Sequence, residues 1–172
     1  NEALIQAMDL VGRDFSASKI FVPEMLMAAI TMKEGLNVVK PLLKAGTGKP
    51  KGTIMLATVQ GDLHDIGKNI VAMMLEGGGF DVIDLGINVD RREILNKVKE
   101  HRPDILGLCA LLTTTMPEMK KVIDHFTEES IRDKIKIIIG GAPVSQKFAD
   151  QIAADGYAAD AGAAVDLCRR LL

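Results

Sequence analysis

The chain has 172 residues, 48% of them hydrophobic, and a formal net charge of −2. That length suits one domain with a sizeable core, or a domain and a small appendage, and the balanced charge excludes the basic surface of a nucleic-acid binder. The only cysteines, Cys109 and Cys168, stand far apart, which excludes a disulfide scaffold or thiolate zinc site and fits a reduced, cytoplasmic setting.

The N-terminus lacks the basic-then-apolar layout of a signal peptide, and no apolar run reaches membrane-spanning length, so no membrane partner is expected. The sequence opens on Asn1 rather than Met, which fits a start inside a longer protein. Aromatics are scarce and there are nine Met, so aliphatic and thioether side chains must fill the interior.

Residues 1–44 read as helical. Val22, Met25, Ala29, Met32, Leu36, Val39 and Leu43 recur at three- and four-residue steps, one apolar stripe on a helix. Pro23 falls where a helix start tolerates it, and Gly35 marks a point where the run can bend or break. Lys44–Gly52 is charged and glycine-rich, a linker or exposed loop. Residues 1–48 are therefore assigned to a helical cap and 49–172 to a second domain.

In the second domain short apolar runs alternate with amphipathic segments. Strands are expected at 54–59, 81–85, 104–110 and 135–139, with a short fifth near Tyr157. Helices are expected at 66–77, 90–101, 117–128, 145–155 and 163–171, with Asp90 as an N-cap and Pro117 as the first helical residue. Near-continuous apolar strands joined by helices specify a parallel sheet covered on both faces. The expected fold is α/β: a flavodoxin-like, doubly wound five-stranded sheet of order 2-1-3-4-5, with the helical cap at its N-terminus.

In this topology ligands bind beyond the carboxyl ends of the strands, at the switch point between strands one and three. Three polar or glycine-rich turns fall on that edge: Gly61-Asp62-Leu63-His64-Asp65-Ile66-Gly67, Leu111-Leu112-Thr113-Thr114-Thr115 and Gly140-Gly141-Ala142-Pro143. Asp62 stands two residues before His64, where it can accept the Nδ1 proton, set the tautomer and leave Nε2 for a metal. Asp65 is either an N-cap for the helix from Ile66 or a second ligand. Gly61, Gly67, Gly140 and Gly141 serve tight turns or close approach of a bulky ligand, and the threonines either close an ST-turn or bond a ligand or Asp62. Cys109 reads as a buried strand residue, and His101 and His125 as solvated helical histidines.

Gly-Asp-x-His also opens metallophosphoesterase sites, but those need further His, Asp and Asn ligands on later loops, and the other histidines, His101 and His125, stand at no predicted strand end. A receiver-like signalling domain needs a phosphoacceptor Asp at the end of strand three, where Cys109-Ala110 stand.

Asp62-x-His64-x-x-Gly67, followed by Leu111-x-Thr113-x-Thr115 and then Gly140-Gly141, resembles the cobalamin-binding signature over nearly the whole chain. The wording Leu111–Pro117 and Gly140–Val144, with the cap segment Phe21–Ala29, is similar to small corrinoid proteins of methyltransferase systems, serving methanol, methylamine or related donors, and to the cobalamin-binding region of methionine synthase.

The resemblance implies a cobalamin or related corrinoid cofactor with cobalt, bound base-off. His64 would be its lower axial ligand, Asp62 would hydrogen-bond His64, and Thr115 would complete the relay. Gly67, Gly140 and Gly141 would line the channel taking the displaced nucleotide tail. Leu63, Asp65, Ile66, Leu111, Thr113 and Tyr157 would border that tail or the corrin ring. Phe21, Val22 and Met25 would cover the upper cobalt face. Cys109 departs from the family, which usually has Ser there, and the family's N-terminal bundle is shortened. The implied function is to carry a methyl group on cobalt between a substrate-specific methyltransferase and a second, methyl-acceptor methyltransferase, with a reductive activase as a further partner. A cobalamin-dependent sensor is the alternative use of the same motif.

Overall fold

Five strands present side chains alternately to two buried faces, and each face recruits its own helices. The computed structural model describes residues 7, 10–15, 17–43 and 50–172. The elements are α1 (Val22–Leu43), β1 (Thr53–Thr58), α2 (Ile66–Gly77), β2 (Asp81–Asp84), α3 (Arg91–His101), β3 (Ile105–Cys109), α4 (Met116–Glu128), β4 (Lys136–Gly140), α5 (Gln146–Gln151), β5 (Gly156–Ala158) and α6 (Ala161–Leu171). Before α1, residues 10–15 are also helical.

The strands pair in parallel in the order β2-β1-β3-β4-β5, as expected. Ile54 registers with Val82 on one side and Ile105 on the other, and Ile138 with Gly156. Met55, Ala57, Leu106, Leu108, Ile137 and Ile139 face one core, shared with Ile94 and Val98 of α3 and Met119, Val122 and Phe126 of α4. Their neighbours Ile54, Leu56, Ile105 and Ile138 face a second core with Met74 and Leu75 of α2 and Val165, Leu167 and Cys168 of α6. Each fully buried Ile, Leu or Met contributes roughly 1.5–3 kcal/mol through removal from water.

Local chemistry sets the helix ends. Asp90 caps α3 by accepting from Arg92 N at 2.8 Å, and Asp160 caps α6 by accepting from Ala163 N at 2.8 Å. α4 begins one residue early, at Met116, so Pro117 is its second residue. α5 stops at Gln151, short of the expected 155, and Ala153 just beyond it adopts a left-handed φ of 58°. Gly35 does not interrupt α1. Met25, Ala29 and Met32 of the expected stripe are buried against the second core. The side chains of Leu36, Val39 and Leu43, and residues 44–49 of the expected linker, lie outside the described residues. Among the described residues no helix is long and apolar enough to cross a membrane.

Candidate functional site

The chain leaves β1 at the switch point and turns sharply, with Gly61 at φ +82°. The Asn88 side chain accepts from Gly61 N at 2.7 Å, and Asn88 N donates to Asp62 O at 3.0 Å. Thr58 Oγ1, buried at the end of β1, donates to His64 O at 3.0 Å. The loop that carries the histidine is thus tied to β1 and to the turn after β2.

Asp62 is fully buried and organises the edge. Its Oδ1 accepts from His64 Nδ1 at 2.7 Å and His64 N at 3.1 Å. Its Oδ2 accepts from Leu111 N at 2.7 Å, Leu112 N at 3.3 Å and Thr115 Oγ1 at 2.7 Å. Thr115 Oγ1 also lies 2.9 Å from Leu112 O, but its one proton favours the charged acceptor. Burial by itself would raise the Asp62 carboxyl, yet the bonds from Thr115, Leu111 and His64 outweigh it and hold the group well below the ordinary carboxylate range. An ionised Asp62 accepts a hydrogen bond from Nδ1–H of the imidazole, so Nε2 carries the lone pair. Half of the His64 side chain is exposed, at 49%.

Around this ring the edge is apolar. Leu63 is 68% and Ile66 74% exposed, and Leu111 and Leu112 are also exposed. Beside His64 a cavity of about 520 Å³ enters between the sheet and helices α2 and α6. Leu63, Asp65, Ile66, Gly67 and Leu111 line it near the histidine, and Cys109, Gly140 and Gly141 line it at the strand ends. Burial pushes the Cys109 thiol up to about 12, so it stays protonated at neutral pH.

The other expected residues are placed as follows. Tyr157 does not line the cavity: it packs with the α3–α4 core, because alternation along β5 gives the cavity side to Ala158. Met25 is fully buried in the second core rather than set toward the edge. Thr113 is exposed and outside the cavity wall. Asp65 occupies the N-cap position of α2, but its side chain makes no capping bond. Phe21 and Val22, expected over the upper cobalt face, are exposed at the start of α1, and the N-terminal aromatic that lines the cavity is Phe15.

Other contributors were not read from the sequence. Lys68 is buried and donates to both Asp84 oxygens and to Asn69 Oδ1 at 3.1 Å. A lysine inside the apolar run of α2 was its available signal. Gly107 lines the cavity floor, and a mid-strand glycine is a mark of close approach. Asn88 gave no signal, since its partner Gly61 lies across a crossover.

Among the described residues no three His, Cys, Asp or Glu side chains converge on a common point. The edge therefore does not fit a dinuclear hydrolase centre. It fits a metal that brings its own ring of ligands: one imidazole nitrogen, an apolar ledge beside it and a deep cavity. Gly67 agrees, because a Cβ there would meet nothing within 4 Å, so no protein contact requires the glycine.

Comparison with known proteins agrees with this geometry. The B12 binding domain family matches residues 52–166, and a second B12 binding domain family matches residues 1–40. Dimethylamine corrinoid protein 3 of Methanosarcina mazei is 46% identical over 96% of this chain and 99% of its own. A cobalamin-binding protein from Desulfitobacterium hafniense DCB-2 superposes with a TM-score of 0.84 at 38% identity, over 99% of this chain and 80% of that one. The methanol:cobalamin methyltransferase complex MtaBC from Methanosarcina barkeri contains a chain with a TM-score of 0.83 at 39% identity, over 96% of this chain and 63% of that one. With its motifs, its sheet order and these matches in agreement, the chain belongs to the B12-binding corrinoid proteins of methyltransferase systems.

Proposed function

We propose that this protein carries methyl groups between two methyltransferases, one specific for a methylated substrate and one serving the final acceptor, with a reductive activase as a third partner. When bound, the corrinoid supplies the cobalt on which the methyl group travels. His64 Nε2 would hold the cobalt, and the cavity beside it would take the cofactor's own base. The Thr115–Asp62–His64 chain of hydrogen bonds, set at the mouth of that cavity, is the observation that carries this reading.

The protein's part follows from those bonds. Asp62 holds the ring in one orientation and makes Nε2 a better donor. Were Nε2 freed from the metal it would be open to a proton, with the Asp62 carboxylate beneath to stabilise the charged ring while Thr115 and the Leu111 amide hold the carboxylate. Holding the cobalt would thereby be linked to proton uptake at one named atom. The exposed Leu63, Ile66 and Leu111 would give the planar ring an apolar seat.

Reconstitution with hydroxocobalamin and reduction to the cobalt(II) form test the assignment by electron paramagnetic resonance. Protein grown on ¹⁵N-histidine should change the nitrogen splitting from three lines to two, and His64→Ala should abolish that isotope-sensitive splitting. A splitting insensitive to the label would show that the ligand is not histidine.

A further inference from the structure

We propose that the cavity beside His64 selects corrinoids by the chemistry of their lower base, favouring an apolar bicyclic arene of benzimidazole type over a purine, with Cys109 as a specificity-determining residue. This rests on the reading that the displaced base enters the cavity.

The walls carry the inference. Leu56, Val71, Ile138, Ala158 and Ala164 give it aliphatic surface, and Gly107 leaves its floor open. A Cβ at Gly107 would stand 2.6 Å from Leu56 Cδ2, so the absent side chain is what keeps the floor low. The volume, about 520 Å³, lies within the roughly 300–1,000 Å³ of ordinary small-ligand sites.

Among the described residues five polar side chains line the cavity, those of His64, Asp65, Lys68, Cys109 and Asp160, and most are committed. The Lys68 ammonium has three protons, and its partners are Asn69 Oδ1 and the two oxygens of Asp84. Asp160 Oδ1 caps α6 through Ala163 N. His64 and Asp65 belong to the mouth. Cys109 remains, on the same face of β3 as Gly107, and its thiol is a weak donor and weak acceptor.

A purine brings ring nitrogens and an exocyclic amine on an edge where dimethylbenzimidazole has only methyl groups and carbon. Taken out of water without partners, each such group weakens binding by a factor between about 5 and 150. An apolar pocket rejects a polar near-isostere by about a hundredfold at most, so the expected preference is about 10- to 100-fold. A serine hydroxyl at position 109 would both donate and accept, and would return part of what the purine loses.

Equilibrium dialysis of the apoprotein with three probes tests this: cobinamide, which lacks a base, hydroxocobalamin, and the corresponding adeninyl cobamide. The proposal expects hydroxocobalamin to bind at least about tenfold more tightly than the adeninyl form, and Cys109→Ser to narrow that ratio. Equal binding of the two base-bearing probes, both tighter than cobinamide, overturns the selectivity and leaves the base in the cavity. Equal binding of all three overturns the placement of the base as well. A preserved preference in a folded Cys109→Ser protein removes Cys109 as its determinant.

Discussion

Asp62 shows how much of the edge depends on one carboxylate. Every polar group that faces it is a donor, so Asp62→Asn would set an amide N–H₂ against N–H or O–H groups whichever way it turned. The expected loss is about 3 kcal/mol in apoprotein stability, measured by urea denaturation. Because the folded carboxyl titrates below its unfolded value, this stabilisation is complete above a pH of about 4 and drains away as pH falls through the folded value. Denaturation midpoints of the wild type should therefore fall on acidification, and those of Asp62→Asn should fall less steeply over the same range. His64 and Asp62 were legible as a pair because they lie two residues apart. The amides of Leu111 and Leu112 that complete the cluster were not, since backbone donors carry no residue-type signal.

At the scale of elements, two glycines at the same edge answer to different causes. Gly141, after β4, has φ +128°, and a Cβ there would come within 1.9 Å of Ala110 O. Gly141→Ala should cost about 3 kcal/mol or more in thermal or urea unfolding, whatever is bound. Gly67, in the first turn of α2, meets no such obstacle. Gly67→Ala should stabilise the apoprotein by about 0.5 kcal/mol through helix propensity, yet weaken corrinoid binding in the dialysis experiment. If the variant is stabilised and binds corrinoid unchanged, the ligand is not what excludes a side chain there. Strands and helices were readable to within a few residues because apolar periodicity and caps are local. The end of α5 was not, because it depends on Ala153 entering a left-handed conformation that alanine does not announce.

For the whole molecule, the difference lies in where the N-terminal helix docks. Periodicity identified Met25, Ala29 and Met32 as one buried stripe, but a stripe does not say which surface it meets. They meet the core between α2 and α6, so Met25 is a packing residue of the sheet domain. Met25→Ala should cost about 3 kcal/mol by cavity formation, read in urea denaturation, while leaving the corrinoid spectrum of the folded protein unchanged. Tyr157 makes the same point: its strand was anticipated, and a single step of alternation decided which face it joined.

The buried carboxylate has one more consequence, for how the protein is loaded. The imidazole is aimed by Thr115, two backbone amides and Asp62, all of them present in the chain by itself. If His64 holds the corrinoid as proposed, contacts within the chain already aim its ring, and most of the entropic cost of orienting it is met when the polypeptide folds. Loading would then be a docking event onto a loop whose hydrogen bonds are made by the chain itself. Unloaded and corrinoid-loaded proteins should share one pattern of amide-hydrogen exchange at Leu111 and His64.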